Sequence, residues 1–203
     1  MNEINTDDAV KKLHELGKQL SKEEFAAAQA RALNRGIQSA KSKAVKSIVQ
    51  IYNIKKDEIS NSSIIWKANR NDLTAKIITS KAGIALINLK PFQSEKGVIV
   101  EIKKGQPQLI RSAFIKRVRI QQTSEYEGVF ARAQAGKDPK FRHYRTKKTG
   151  NDLTIQNLRT LNNYQAFVNN RVQENINEDV QSYVYRRLEH EINYAVQKAQ
   201  SKI

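Results

Sequence analysis

Apolar side chains return every three or four positions at Val10, Leu13, Leu16 and Leu20, the spacing of one face of an α-helix. Thr6, Asp7 and Asp8 just ahead of them suit a helix start, because hydroxyl and carboxylate groups match the unpaired N–H groups of a first turn. Ser21-Lys22-Glu23-Glu24 then has the form of a capping box, a hydroxyl and a carboxylate three residues apart that close reciprocally on the backbone. It opens a second predicted helix with the stripe Phe25, Ala28, Ala32, Leu33, Ile37, Ala40, Ala44, Ile48 and Ile51. Small residues at Ala28, Ala32, Gly36, Ala40 and Ala44 would let another backbone come close. The opposite face carries Arg31, Arg35, Lys41, Lys43 and Lys46.

The period changes after Asn53. Residues 55–59 fit a single helical turn, and Asn61-Ser62-Ser63 marks a loop. Residues 64–68, 73–79, 84–89 and 98–103 alternate or run β-branched, and the separators between them fit an antiparallel meander. Gln106-Pro107 interrupts before Ala113-Phe114-Ile115, and residues 128–133 form a last short strand. Leu158, Leu161, Tyr164, Phe167, Val168 and Val172 predict a short helix. Asn177, Glu178 and Asp179 start another, with the stripe Val180, Val184, Leu188, Ile192, Ala195 and Ala199.

Helices, then strands, then helices predict an α+β fold. The expected architecture is an N-terminal helix pair with one long helix, a central small antiparallel β-sheet, and C-terminal helices packed on the sheet. A single domain is expected over 1–203, with N-terminal helices in 1–52, the sheet region in 62–135, a basic loop in 136–152 and C-terminal helices in 153–203.

Composition narrows the chemistry. The 203 residues include no Cys, so disulfides, thiolate zinc sites and Cys nucleophiles are excluded. The longest apolar runs, such as residues 84–87, fall far short of the roughly 20 residues that span a bilayer, so no membrane partner is expected. The opening MNEINTDD has the wrong chemistry for a secretion signal, which predicts a protein made in the cytoplasm. The formal charge is +16, and it is uneven. Residues 31–150 hold 26 Lys and Arg against 8 Asp and Glu, while the two ends together are close to neutral. A clustered basic surface attracts either a polyanion such as nucleic acid or an acidic protein neighbour.

Catalytic constellations are missing from the pattern. His14, His143 and His190 match no metal-ligand spacing, and His190 points away from its neighbours Glu189 and Glu191. Glu125 and Glu127 share one side of a strand, without a second acidic cluster to complete a metal pair. Phosphate-binding, nucleophile-elbow and dinucleotide motifs are absent. The reading is therefore of no enzyme, with no catalytic residue, no metal site and no cofactor. Two binding elements stand out. Arg111, Lys116, Arg117 and Arg119 surround Ala113-Phe114-Ile115, and Arg142, His143, Tyr144, Arg145, Lys147 and Lys148 interleave basic and ring side chains in a loop. Such elements can hold a phosphate backbone and stack on bases, or meet an acidic subunit. Phe114, Ile115 and Tyr144 are the candidate packing or interface positions.

Five blocks in fixed order carry a resemblance. They are AAAQARALNRGIQSAKSKAVKSIVQIYNIKKDEI (26–59), INLKPF (87–92), KGVIVEIKKGQPQLIRSAFIKRV (96–118), GVFAR (128–132) and FVNNRVQENINEDV (167–180). Together they resemble the minor tail protein Z family of long-tailed bacteriophages, over roughly residues 9–196. The resemblance implies a structural virion protein without catalytic activity. It would complete the tail at its head-proximal end, where tail and head join and the DNA end passes. The partners implied are other tail and neck proteins: a tail terminator or tail tube end, and a head connector. A homo-oligomeric ring with non-specific DNA contact is also expected, in a protein made in the host bacterial cytoplasm and carried in the virion tail. The alternative from the residues alone is a non-specific nucleic-acid-binding protein with DNA as its main ligand.

Overall fold

The structure is a computed structural model that describes Lys18 and residues 20–121, 124–132 and 155–201. The helix predicted over 6–20 therefore lies outside the described residues apart from Lys18 and Leu20, and so does the basic loop at 136–152. The chain has the α+β architecture the patterning predicts. It divides into two compact units.

The first unit takes in the chain up to Ala44, together with Ile64–Ile78 and Gln173–Ile203. Its main element is α1 (Lys22–Ile51). The capping box forms as the sequence predicts: the Glu24 N–H donates to the Ser21 hydroxyl at 3.2 Å, and the Ser21 N–H donates to the Glu24 carboxylate at 3.2 Å. The long C-terminal helix is α4 (Asn170–Gln200). Ala28 and Ile192 are fully buried together, with Leu20, Phe25, Leu188 and Val196 packed around them. A Cβ on Gly36 would collide with the Val184 side chain. Partners thus rise in number along α1 as they fall along α4, so the pair is antiparallel and comes closest where α1 carries no side chain. Glu191, buried on α4, accepts from Arg31 Nε at 2.7 Å and pairs with Arg187 at 3.2 Å.

A two-stranded sheet, β1 (Ser63–Trp66) with β2 (Lys76–Thr79), contributes its residues between Ile64 and Ile78 to this unit. Asn34 of α1 holds its end. The Asn34 amide donates to the Ala68 carbonyl at 2.9 Å and accepts from the Ala68 N–H at 2.8 Å, so both backbone groups of a buried residue are satisfied by one side chain. Asn69 closes the following turn by accepting the N–H groups of Asn71 and Asp72.

The second unit comprises Val45–Ser63 and Thr79–Val172. It begins with the end of α1 and the single helical turn expected near residue 55, now α2 (Lys56–Asn61). Three small sheets follow. The first has the order β4 (Phe92–Ser94), β5 (Gly97–Lys103), β6 (Gln106–Arg111). The second has the order β7 (Ala113–Gln121), β8 (Ser124–Arg132), β9 (Ile155–Asn157). The third pairs β3 (Gly83–Ala85) with β10 (Arg159–Asn162), and the short helix α3 (Asn163–Phe167) follows. All these pairings are antiparallel. Leu158 ties two sheets together: its N–H donates to Val129 at 2.8 Å, and its carbonyl accepts from Leu86 at 3.2 Å. Gly97 has φ +149, and a Cβ there would strike the Ile110 carbonyl, so this position of the β4–β5 hairpin requires glycine.

Several expectations are corrected. Residues 84–89 were expected as one strand, but only Gly83–Ala85 pairs, and Leu86–Leu89 turns as a 3-10 helix. Residues three apart eclipse in that helix, so Leu86 and Leu89 both reach the core, at 0% and 1% exposure. The separator before Gly97 contains β4. Gln106-Pro107, expected as an interruption, opens β6, where Pro107 is tolerated because β6 is an edge strand.

The short helix predicted from Leu158 onward is strand as far as Asn162. The free edges of β8 and β3 capture this segment, and tertiary pairing outweighs a helical period. Helix begins only at Asn163, behind a capping box in which Asn162 and Gln165 exchange backbone bonds of 2.8 and 2.9 Å. The last helix starts at Asn170 rather than Asn177, because the Asn169 side chain accepts the Arg171 N–H at 3.1 Å and caps it earlier.

Two substitutions test this packing. Gly36→Ala should destabilise by about 1–3 kcal/mol through overpacking, although alanine gains about 1 kcal/mol of helix propensity over glycine. Adding Val184→Ala should recover most of the loss in urea unfolding, and strict additivity would refute the close approach. Asn34→Asp keeps the acceptor for Ala68 N–H and removes the donor for its carbonyl, an expected cost of about 1–3 kcal/mol. Hydrogen exchange at Ala68 should rise with it. Unchanged protection there would remove Asn34 from this role.

Candidate interaction surface

The β7–β8 ribbon carries three of the four cations expected around Ala113-Phe114-Ile115, and its register decides which side each occupies. Arg117 stands opposite Glu127, Arg119 opposite Glu125 and Lys116 opposite Gly128. Successive strand residues face opposite ways, so Lys116 is on one face while Arg117 and Arg119 share the other with the two glutamates. The Arg117–Glu127 ion pair measures 3.9 Å and is solvent-exposed on both sides. The carboxylates that sequence spacing put on one side of a strand therefore stand opposite the chain's own arginines in register, and Glu127 pairs with one of them. Arg111 ends β6 on the neighbouring sheet, opposite Gly97. The expected cluster is spread over two faces and two sheets. Among the described residues, Arg111, Lys116 and Arg119 make no ion pair within the 4.0 Å limit.

The Lys116 face is aromatic toward its base. Phe114 stacks on Phe130 with ring centres 6.3 Å apart, and Tyr126 meets Phe130 edge-on at 6.4 Å. Gly128 lies between those rings, where a Cβ would come within 2.7 Å of Tyr126. Asn157 donates to the Tyr126 hydroxyl at 2.8 Å. Phe114 thus packs within its own ribbon. Ile115 is half-buried, and its N–H donates to Gln93 of β4 at 2.8 Å. Arg142, His143, Tyr144, Arg145, Lys147 and Lys148 fall outside the described residues.

A second basic site, which the sequence reading missed, lies in the same unit. A cleft of about 730 Å³ is lined by Lys103, Lys104 and Arg171, with the amides of Gln50, Gln106 and Asn170. The Lys104 N–H donates to Ile51 at 3.0 Å, and Lys103 bridges to Tyr52 in antiparallel fashion. The Asn169 amide donates to the Tyr52 hydroxyl at 3.2 Å. These bonds hold the β5–β6 turn and the start of α4 to the end of α1. Lys103 and Lys104 are neighbours in the sequence, but nothing in sequence spacing links them to Arg171.

The first unit presents a different surface. Ile64, Trp66 and Ile78, all on the β1–β2 hairpin, are 67%, 58% and 48% exposed. Among the described residues no group of His, Asp or Glu is arranged to hold a metal ion, and no helix is long and apolar enough to cross a membrane.

Fold and surfaces together define an α+β protein whose polar side chains are organised for contact. The sequence model of the prophage minor tail protein Z family matches residues 5–201, nearly the whole chain, and the chain belongs to that family. It is a phage minor tail protein, from a structural family rather than a known enzyme family. No match was found among curated proteins or solved structures.

Because the Arg117–Glu127 pair is exposed, solvent screens it, and Glu127→Gln should change stability by less than about 1 kcal/mol. Urea unfolding of the single variant checks this, and a loss beyond about 2 kcal/mol would show a pair that water does not reach.

Proposed function

We propose that this minor tail protein completes the tail at its head-proximal end, joining tail to head through protein–protein contacts. Its partners in this reading are other tail and neck proteins: the tail terminator or tail tube end on one side and the head connector on the other. It works there as a homo-oligomeric ring, is made in the host bacterial cytoplasm and is carried in the virion tail. The reading assigns it no catalytic step. Family membership over residues 5–201 supports the setting. The observation that carries the choice of protein over nucleic acid is the β7–β8 register. Two of the strongest candidate phosphate-binding arginines, Arg117 and Arg119, face Glu127 and Glu125. A ribbon that answers its own cations with carboxylates is a poor track for a polyanion and a good pattern for a mixed-charge protein interface.

A second reading keeps one specific observation in its favour: residues 31–150 hold 26 basic against 8 acidic side chains. On that reading DNA is the main ligand, gripped without sequence preference by Arg111, Lys116 and the cations of residues 136–152.

One pair of experiments separates the two. In lysates of a prophage lacking the gene, tails should accumulate without heads, or particles should form without infectivity, and the supplied chain should restore both. Normal head-bearing, infectious particles without the chain would overturn the assembly reading. Titration of the purified chain with a short duplex tests the other: a log–log salt slope of about −3 or steeper would make DNA the principal ligand.

A further inference from the structure

The cleft between the β5–β6 turn and the start of α4 has three properties that together select a ligand class. Its lining holds three cations, Lys103 and Lys104 at the β5–β6 turn and Arg171 at the start of α4, and among the described residues it includes no carboxylate. Among the described residues none of the three makes an ion pair within the 4.0 Å limit. This contrasts with Arg117 on β7, which the chain neutralises itself. The walls are fixed by the backbone bonds to Ile51 and Tyr52 and by the Asn169 amide. The backbone that carries the cations is therefore fixed before any ligand arrives, while their side chains are exposed and free to adjust to it.

The remaining lining discriminates among anions. Gln50, Gln106 and Asn170 offer both donors and acceptors, the complement of peptide N–H and C=O groups. Among the described residues no aromatic ring lines the cleft, so they supply no stacking platform of the kind single-stranded nucleic acid uses. At about 730 Å³ it is an open cleft of local extent, within the range of about 300–1,000 Å³ typical of compact-ligand sites. A duplex would need an extended basic surface instead.

We propose that this cleft receives an acidic peptide segment of a neighbouring protein. Its carboxylates would meet Lys103, Lys104 and Arg171, and its backbone would meet the amides of Gln50, Gln106 and Asn170. The inference deepens the assembly reading and rests on it in taking the occupant to be a protein.

The test uses the full chain with fluorescein-labelled octaglutamate and a labelled short duplex, by anisotropy, at about 50 and 150 mM salt to set the screening. Octaglutamate should bind, and Lys103→Gln with Lys104→Gln, or Arg171→Gln alone, should weaken it about tenfold, as loss of a contacting charge does. Lys81→Gln with Lys96→Gln, exposed cations outside the lining, removes the same charge and should leave binding within about twofold if the effect is local. Three results would overturn the proposal: no octaglutamate binding at the lower salt, an equal loss in the Lys81/Lys96 variant, or tighter duplex binding abolished by the cleft substitutions. Complementation keeps the two ideas apart. Failure of the wild-type chain to rescue particles counts against tail completion, whereas full rescue by a cleft variant that no longer binds octaglutamate counts against the cleft alone.

Discussion

Short sheets leave many backbone groups without strand partners, and buried N–H and C=O groups must be paired. In this protein asparagine side chains meet that constraint repeatedly. Asn34 satisfies both groups of Ala68, Asn69 closes the turn that follows Ala68, and Asn53 reaches the Leu89 carbonyl. Asn162 and Asn169 start the two C-terminal helices. An amide can donate and accept at once, so one side chain can finish a strand end where a neighbouring strand is lacking. Around the two- and three-stranded sheets, such side chains pair backbone groups that no strand reaches.

How legible this was in the sequence depended on the range of the interaction. Ser21 and Glu24 read as a cap because both partners of the cap lie within one turn, and the stripe on α1 gave the helix its full length to Ile51. The segment from Ile155 to Asn162 was misread because its partners are Val129, Leu86 and the edges of β8 and β3, none of which is local. β6 was missed for a related reason: Pro107 signals a break unless the strand is known to be an edge. The residue types of the basic clusters were readable as well. Which cations share a face was not, because a one-residue change of register exchanges the two faces of a ribbon.

That distinction governs how the large positive charge should be understood. A net charge summed over the sequence treats every lysine and arginine as equally available to a partner. The structure sorts them. Arg31 and Arg187 close around buried Glu191, Arg117 stands opposite Glu127, and Lys103, Lys104 and Arg171 line a cleft that among the described residues has no carboxylate in its lining. The first group is part of the packing between the two long helices, and the second is a solvent-screened surface pair. Among the described residues the third gathers positive charge in a concave space, where low-dielectric walls focus the field.

The chain's only tryptophan, Trp66, lies on the outward side of the β1–β2 hairpin, more than half exposed. Indole emission excited at its red edge therefore comes from a single ring at one known place. Its wavelength registers whether that hairpin is wet or covered, with no contribution from the seven tyrosines. The protein thus carries an intrinsic optical label on an exposed apolar surface, and events on that hairpin can be followed in the unmodified chain as it enters a larger assembly.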